Sequence, residues 1–144
     1  MLRRVFNDVT VWKEEWSMID PVIQRLLEKA IDTPVKLHLL LMFHENARME
    51  GTAHEIANRV CRDIWSVAQA LDELVEDGVM GRSVSSKGDL RYRYAPQPEN
   101  HESIKRLIAG YDDPIERDLL QRLIRDLSTY AAYRRSSAWE YQIA

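Results

Sequence analysis

Apolar positions recur at helical spacing along most of this chain and switch to strict alternation once. Val5, Val9, Trp12, Trp16 and Ile19 are separated by steps of four, three, four and three. That is the spacing of one helix face, and it predicts a helix over about 3–19. Asp20-Pro21, Thr33-Pro34 and Asp113-Pro114 each place a capping side chain before a proline. The cap oxygen accepts a free N–H of the first turn, and proline lacks the N–H that would stay unpaired there. Each pair therefore predicts a helix start. The first opens 21–31, with Val22, Ile23, Leu26, Leu27 and Ala30 facing inward. The second opens 34–46, whose Val35, Leu37, Leu40, Leu41 and Phe43 lie almost all round, as in a buried helix. Thr52 and Glu55 have the spacing of a capping box and open a short helix to about Val60. Asp63 caps a helix to about Asp77 with Ile64, Val67, Leu71, Leu74 and Val75 as its core stripe. Gly78 ends it as the residue that takes a positive φ.

Beyond Gly78 the period falls to two. Residues 79–84 and 90–95 predict two strands around Ser85–Asp89. Leu90, Tyr92 and Tyr94 face one side, Arg91 and Arg93 the other. Pro96 and Pro98 end the second strand, and a helix over about 99–109 follows. Asp113-Pro114-Ile115-Glu116 reads as another capping box. It opens a long helix with Ile115, Leu119, Leu123, Leu127 and Tyr130 on one face, and the tail from Ser136 reads as loose. The expected fold class is mainly α with a small β-hairpin. Its expected units are N-terminal helices (1–32), a central unit (33–97) and C-terminal helices (98–144).

Composition narrows the class. The chain has 144 residues, 45% hydrophobic and 30% charged, too apolar for a disordered chain and too charged for a membrane protein. Its single cysteine excludes an internal disulfide framework and a multi-cysteine zinc cage. The longest apolar stretch, Leu37 to Phe43, is too short to span a bilayer. No apolar stretch follows Met1-Leu2-Arg3-Arg4, so no export signal is read and the cytoplasm is the expected compartment. The net charge of −3 does not advertise nucleic-acid binding, but its distribution is uneven. Residues 52–78 carry −4 and residues 79–97 carry +3. The hairpin is thus the one basic segment.

Helix, short helix, turn, longer helix, hairpin is the order of a winged helix-turn-helix. Specific residues carry the likeness. Ile56-Ala57 is followed by Val67, Leu71, Leu74 and Gly78 at ten, fourteen, seventeen and twenty-one positions after the alanine. A small residue is needed where the two helices cross, apolar ones where they bury, and glycine where the chain turns into the wing. In whole-chain plan the protein resembles the multiple-antibiotic-resistance-type (MarR) transcriptional regulators. Asp89-Leu90-Arg91 fits the Asp-x-Arg pattern of their wing. Tyr92-Arg93-Tyr94-Ala95-Pro96 replaces the Leu-Thr-x-x-Gly stretch that usually follows. Cys61 stands where glycine is usual in the turn, and Arg62 where an apolar residue is common.

The resemblance implies a homodimer that binds duplex DNA and regulates transcription. The 63–77 helix, with Trp65, Ser66, Gln69, Asp72 and Glu73 as its outward positions, would lie in the major groove and the 79–95 hairpin on the backbone. The residues singled out for DNA are Arg62, Trp65, Ser66, Gln69, Arg82, Ser86, Lys87, Arg91 and Arg93. The amide of Gln69 matches the N6 and N7 positions of adenine, and the cations match phosphates. Val9, Trp12, Trp16, Ile19, Leu119, Leu123, Leu127 and Tyr130 are the expected dimer contacts. By analogy, a small-molecule effector would sit near Trp12, Trp16 and Tyr111. The alternative is a winged-helix adaptor for another protein, consistent with the acidity of the 63–77 helix. No Ser-His-Asp spacing, phosphate loop or dinucleotide glycine motif appears, so no enzyme activity and no cofactor are expected. His54 and Cys61 are too few ligands for zinc. Cys61 as a thiol switch is weighed against simple partial burial. His38 is expected as a core or edge residue.

Overall fold

The fold is that of a computed structural model describing the backbone of residues 15–143 and the side chains of residues 15–131. Val9 and Trp12 lie outside the described residues. From Pro21 on, the described residues form, in order, α1 (Pro21–Lys29), α2 (Pro34–Glu45), β1 (Glu50–Gly51), α3 (Ala53–Val60), α4 (Ile64–Glu76), β2 (Met80–Val84), β3 (Leu90–Tyr94), α5 (Pro98–Tyr111) and α6 (Pro114–Ile143). The class is mainly α with a small antiparallel sheet, in the order of a winged helix-turn-helix. The strands lie in the order β1-β3-β2.

Asp20, Thr33, Thr52 and Asp63 cap their helices as their spacing predicts. Val22 N–H donates to Asp20 Oδ1 at 2.8 Å, Lys36 N–H to Thr33 Oγ1 at 3.3 Å, and Glu55 N–H to Thr52 Oγ1 at 3.2 Å. Ser66 N–H donates to Asp63 Oδ2 at 2.8 Å. At the end of α4, Val79 N–H reaches the Leu74 carbonyl at 2.9 Å and Gly78 N–H the Val75 carbonyl at 3.2 Å. This is the paired closure of a helix on a left-handed residue, and Gly78 has φ +79°. A Cβ there would meet Gln97 Cγ at 2.9 Å, so side chain and backbone both demand glycine. The α3–α4 turn closes the same way on Cys61, with Arg62 N–H on the Ala57 carbonyl at 3.1 Å. Cys61 is the one non-glycine residue with positive φ, +57°, among the described residues.

Four expectations change. A third strand, β1, pairs Glu50 with Arg93 and Gly51 with Tyr92; two residues are too few to leave a periodic signal. Pro98 does not end the hairpin but begins α5 at its first turn, where a missing N–H is harmless. The backbone from Ser136 continues α6 to Ile143 instead of forming a loose tail. The inward face of α6 is Leu120, Leu123, Ile124, Leu127 and Ala131, whereas Ile115 is 82% exposed and Tyr130 52%. At 3.6 residues per turn, steps of four drift by about 40° each. A stripe drawn through 115, 119, 123 and 127 therefore turns out of the core at its first member.

The core is continuous. α1 packs on α5, α2 on α4 and α6, and α3 on α4. Leu27, Ile31, Leu39, Leu40, Phe43, Val67, Leu71, Leu74, Leu107 and Leu123 lose all contact with water. Asn100, also buried, gathers the junction. Its Nδ2 donates to the carbonyls of Asp77 and Gly78 at 3.0 and 2.9 Å, and its Oδ1 accepts from Lys29 Nζ at 3.2 Å.

An ion pair lies inside, with Asp32 as well as Lys36 buried. Lys36, on the first turn of α2, is 2% exposed. Its Nζ is 2.7 Å from Asp32 Oδ1 and 3.5 Å from Glu73 Oε1 of α4. An ammonium removed from water is tolerated only when it is paired. Lys36→Ala leaves two carboxylates facing each other, and is expected to lower unfolding stability by about 3 kcal/mol in urea melts. Cys61→Gly, which relieves the left-handed strain, is expected to raise it by about 0.5 kcal/mol. Cys61→Val is expected to lower it by about 1 kcal/mol in the same assay.

Candidate nucleic-acid interface

The outward side of α4 is set by what the inward side must bury. With Val67, Ala70, Leu71 and Leu74 turned to the core, Trp65, Ser66, Gln69 and Glu76 are left exposed. Trp65 is 82% exposed, uncommon for a tryptophan, whose ring is usually well buried. Ser66 and Gln69 line a cleft of about 430 Å³ together with Arg62. Its walls also include Thr33–Lys36 at the head of α2, and Ser128 and Ala131 of α6.

The wing distributes its cations unevenly. Strands β2 and β3 pair from Met80↔Tyr94 to Val84↔Leu90. Ser85 N–H on the Asp89 carbonyl at 2.8 Å, and Asp89 N–H on Ser85 Oγ at 3.1 Å, close the tip. Ser86 and Lys87 are exposed on it. Arg93 is exposed and lies over Gly81, its Cζ 3.2 Å from where a Cβ of that glycine would sit. Arg82 and Arg91 are placed differently. Arg82 Nη1 is 2.9 Å from Asp72 Oδ1 of α4, and the same oxygen accepts the Tyr92 hydroxyl at 2.5 Å. The bond to Asp72 raises the Arg82 pKa. Burial, helped by that carboxylate, raises the Tyr92 pKa. Arg91 lies 3.5 Å from Glu50 and 3.7 Å from Glu55. Sequence spacing offered no sign of these three acidic partners, because they reach the wing only through the sheet and the α4 packing.

Arg62 lines the first cleft with Ser66 and Gln69 and is hydrogen-bonded to α2. Its Nε donates to His38 Nδ1 of α2 at 3.4 Å, and His38 is exposed on the helix edge. Both line a second cleft of about 390 Å³, with Tyr111, Gln121 and Arg125 around it and Leu37, Leu41 and Ile124 beneath. Tyr111 is thus at a cleft, as the effector analogy expects, with its hydroxyl accepting from Gln121 Nε2 at 2.8 Å. Trp16 lines neither cleft and packs against the core. Of the residues expected at a dimer contact, Ile19, Leu123 and Leu127 are buried in the chain's own core. Their side chains are committed within one copy. Leu119 is half-buried and Tyr130 exposed.

No group of three or more metal-ligating side chains occurs among the described residues. Among them, too, no helix is long and apolar enough to cross a membrane. No protein-family model matches the chain. No curated protein matches it either. Among solved structures it is similar to the crystal structure of the YusO protein from Bacillus subtilis. The two chains are 18% identical with a TM-score of 0.49, over 97% of this chain and 98% of the other.

The cap of α4 titrates. The Ser66 N–H holds the Asp63 carboxyl below its ordinary value of 3.8, and the Val22 N–H does the same for Asp20. A carboxylate with a depressed folded pKa contributes stability above its unfolded value and loses it as the pH falls through the folded one. The urea midpoint is expected to be flat above about pH 5 and to fall below about pH 4. Asp63→Asn keeps a capping oxygen but no titrating group, so the acid fall should be shallower in that variant.

Proposed function

We propose that this protein is a homodimeric, sequence-specific duplex-DNA-binding regulator of transcription. A central winged helix (33–97) would be dimerised through its N- and C-terminal helices (1–32 and 98–144). The observation that carries this reading is the helix-turn-helix itself. The second helix, α4, exposes Trp65, Ser66 and Gln69 in its first half, and a hairpin with exposed Lys87 and Arg93 follows at once. An α-helix fits the major groove, and its N-terminal residues meet base edges while a wing reaches the backbone. Gln69 is the base reader in this account. Ser66 and Trp65 contact a base edge, a thymine methyl or a sugar, and Ser86, Lys87 and Arg93 contact phosphate. Arg62, Arg82 and Arg91 join them only after leaving their intramolecular partners.

Dimerisation matters because one subunit offers few cations. Two subunits double the contacts and read half-sites about 34–36 Å apart. Met18, Ile115 and Tyr130 are large apolar residues left exposed by a single copy, and with Leu119 they supply the apolar surface for the contact. A small-molecule effector, where the regulator answers to one, has the Tyr111 cleft as its natural seat.

A second reading has its own support. Trp65, Val84 and Leu90 are exposed apolar side chains, and Arg82 and Arg91 are paired within the chain. Such a surface suits a protein partner, and the chain would then be an adaptor.

Salt separates the two readings. DNA affinity should fall steeply between about 50 and 200 mM salt, whereas an adaptor interface would change little. Capture and sequencing of fragmented genomic DNA should return sites sharing a split palindrome. Gln69→Ala should relax preference at one base pair by about 1–3 kcal/mol, and Lys87→Ala should weaken all duplexes alike. Uniform or absent recovery by a folded dimer would transfer the assignment to the adaptor.

A further inference from the structure

Of the four cations on the wing, two are answered by carboxylates from outside it. Asp72 of α4 holds Arg82 at 2.9 Å, and Glu50 of β1 with Glu55 of α3 flank Arg91 at 3.5 and 3.7 Å. The placement follows from register. Glu50 is paired with Arg93, so Arg91 is its diagonal neighbour on the same face of the sheet. Glu55 comes to the same guanidinium from the first turn of α3. These are exposed pairs, weak enough for one acceptor to be exchanged for another. A DNA phosphate is an acceptor of the same chemical kind.

We propose that Glu50, Glu55 and Asp72 compete with the phosphate backbone for Arg91 and Arg82, and so set a threshold against sequence-independent DNA. This rests on the DNA-binding reading. Contact with phosphates supplies essentially all non-specific affinity. With Arg82 and Arg91 held, the wing offers random duplex only Lys87 and Arg93. That corresponds to a log–log salt slope of roughly −1.8 per subunit, where four free cations would give roughly −3.6. Only a duplex seated by base contacts at Gln69 keeps phosphates beside the arginines long enough to displace the carboxylates.

The test is the affinity of the full chain for a short mixed-sequence duplex across a salt series. The proteins compared are wild type, Glu50→Gln/Glu55→Gln, Arg91→Ala, and the three changes combined. Glutamine serves the capping box of α3 as glutamate does, so the helix keeps its start. The double variant should bind about three- to ten-fold tighter at low salt, with a slope steeper by about 0.9 per subunit. Arg91→Ala should abolish the whole gain in the double variant. A gain that survives Arg91→Ala would mean that lost negative charge, not a freed arginine, is responsible, and would overturn the proposal. Equal affinity and slope in wild type and double variant would overturn it while leaving DNA binding intact. Absence of binding to mixed-sequence duplex and to genomic fragments by every protein would overturn both.

Discussion

The ammonium of Lys36 has no water to solvate it and two carboxylates to answer it, and the placement of α4 depends on that. Asp32 comes from the turn before α2, Lys36 from the first turn of α2, and Glu73 from the third turn of α4. A rotation of α4 that kept its leucines buried but moved Glu73 would leave the inner charge with one partner fewer. Apolar contact alone tolerates small rotations, since leucine surfaces are interchangeable at little cost. A buried ion pair tolerates few, because its attraction falls with distance in a medium that screens poorly. The leucine stripe thus explains why α4 packs where it does. The triad adds a reason why one particular side of it, with Trp65 and Gln69, is presented to the outside.

The same helix carries a second node on its other flank. Asp72 receives Arg82 from β2 and the Tyr92 hydroxyl from β3, tying α4 to the wing as Glu73 ties it to α2. Asn100 completes the frame by fastening the end of α4 to α1 and α5. Helix and wing are therefore held in fixed relation, which a two-part DNA reader requires. The polar groups that provide this rigidity also consume cations. The outer surface is consequently less basic than the wing's composition suggests.

Much of the architecture could be read from local patterns, because the physics behind them is local. Asp20, Thr33, Thr52 and Asp63 cap helices through bonds to residues two or three positions away. Gly78 is required by a backbone angle. The α4 stripe follows from 3.6 residues per turn. Where local pattern and fold differ, a longer-range term decides. Steps of four on α6 run through Ile115, and packing against α2 and α5 selects Leu120 and Ile124 instead. Pro98 opens a helix because the chain beyond it can bury Ile104 and Leu107. Strand β1 exists only because β3 offers it an edge.

The candidate interface divides along the same line. Trp65, Ser66 and Gln69 are legible as outward positions because periodicity assigns each helix residue to a face; Glu73, expected outward with them, turns in because buried Lys36 draws it. The state of the arginines is not legible. Arg62 folds onto His38, Arg82 onto Asp72 and Arg91 onto Glu50 and Glu55, with partners ten to forty-one positions away in the chain. Nor is the depth of Lys36, whose spacing from Asp32 is that of an ordinary surface pair and whose second partner, Glu73, lies on another helix. Sequence alone determined the order of the helices and the hairpin, the caps at Asp20, Thr33, Thr52 and Asp63, the turn into the wing and the outward place of Trp65, Ser66 and Gln69, each governed by near neighbours along the chain. Tertiary structure alone decided which charges remain free to meet a partner, because charge pairing depends on distance in space, and folding sets that distance.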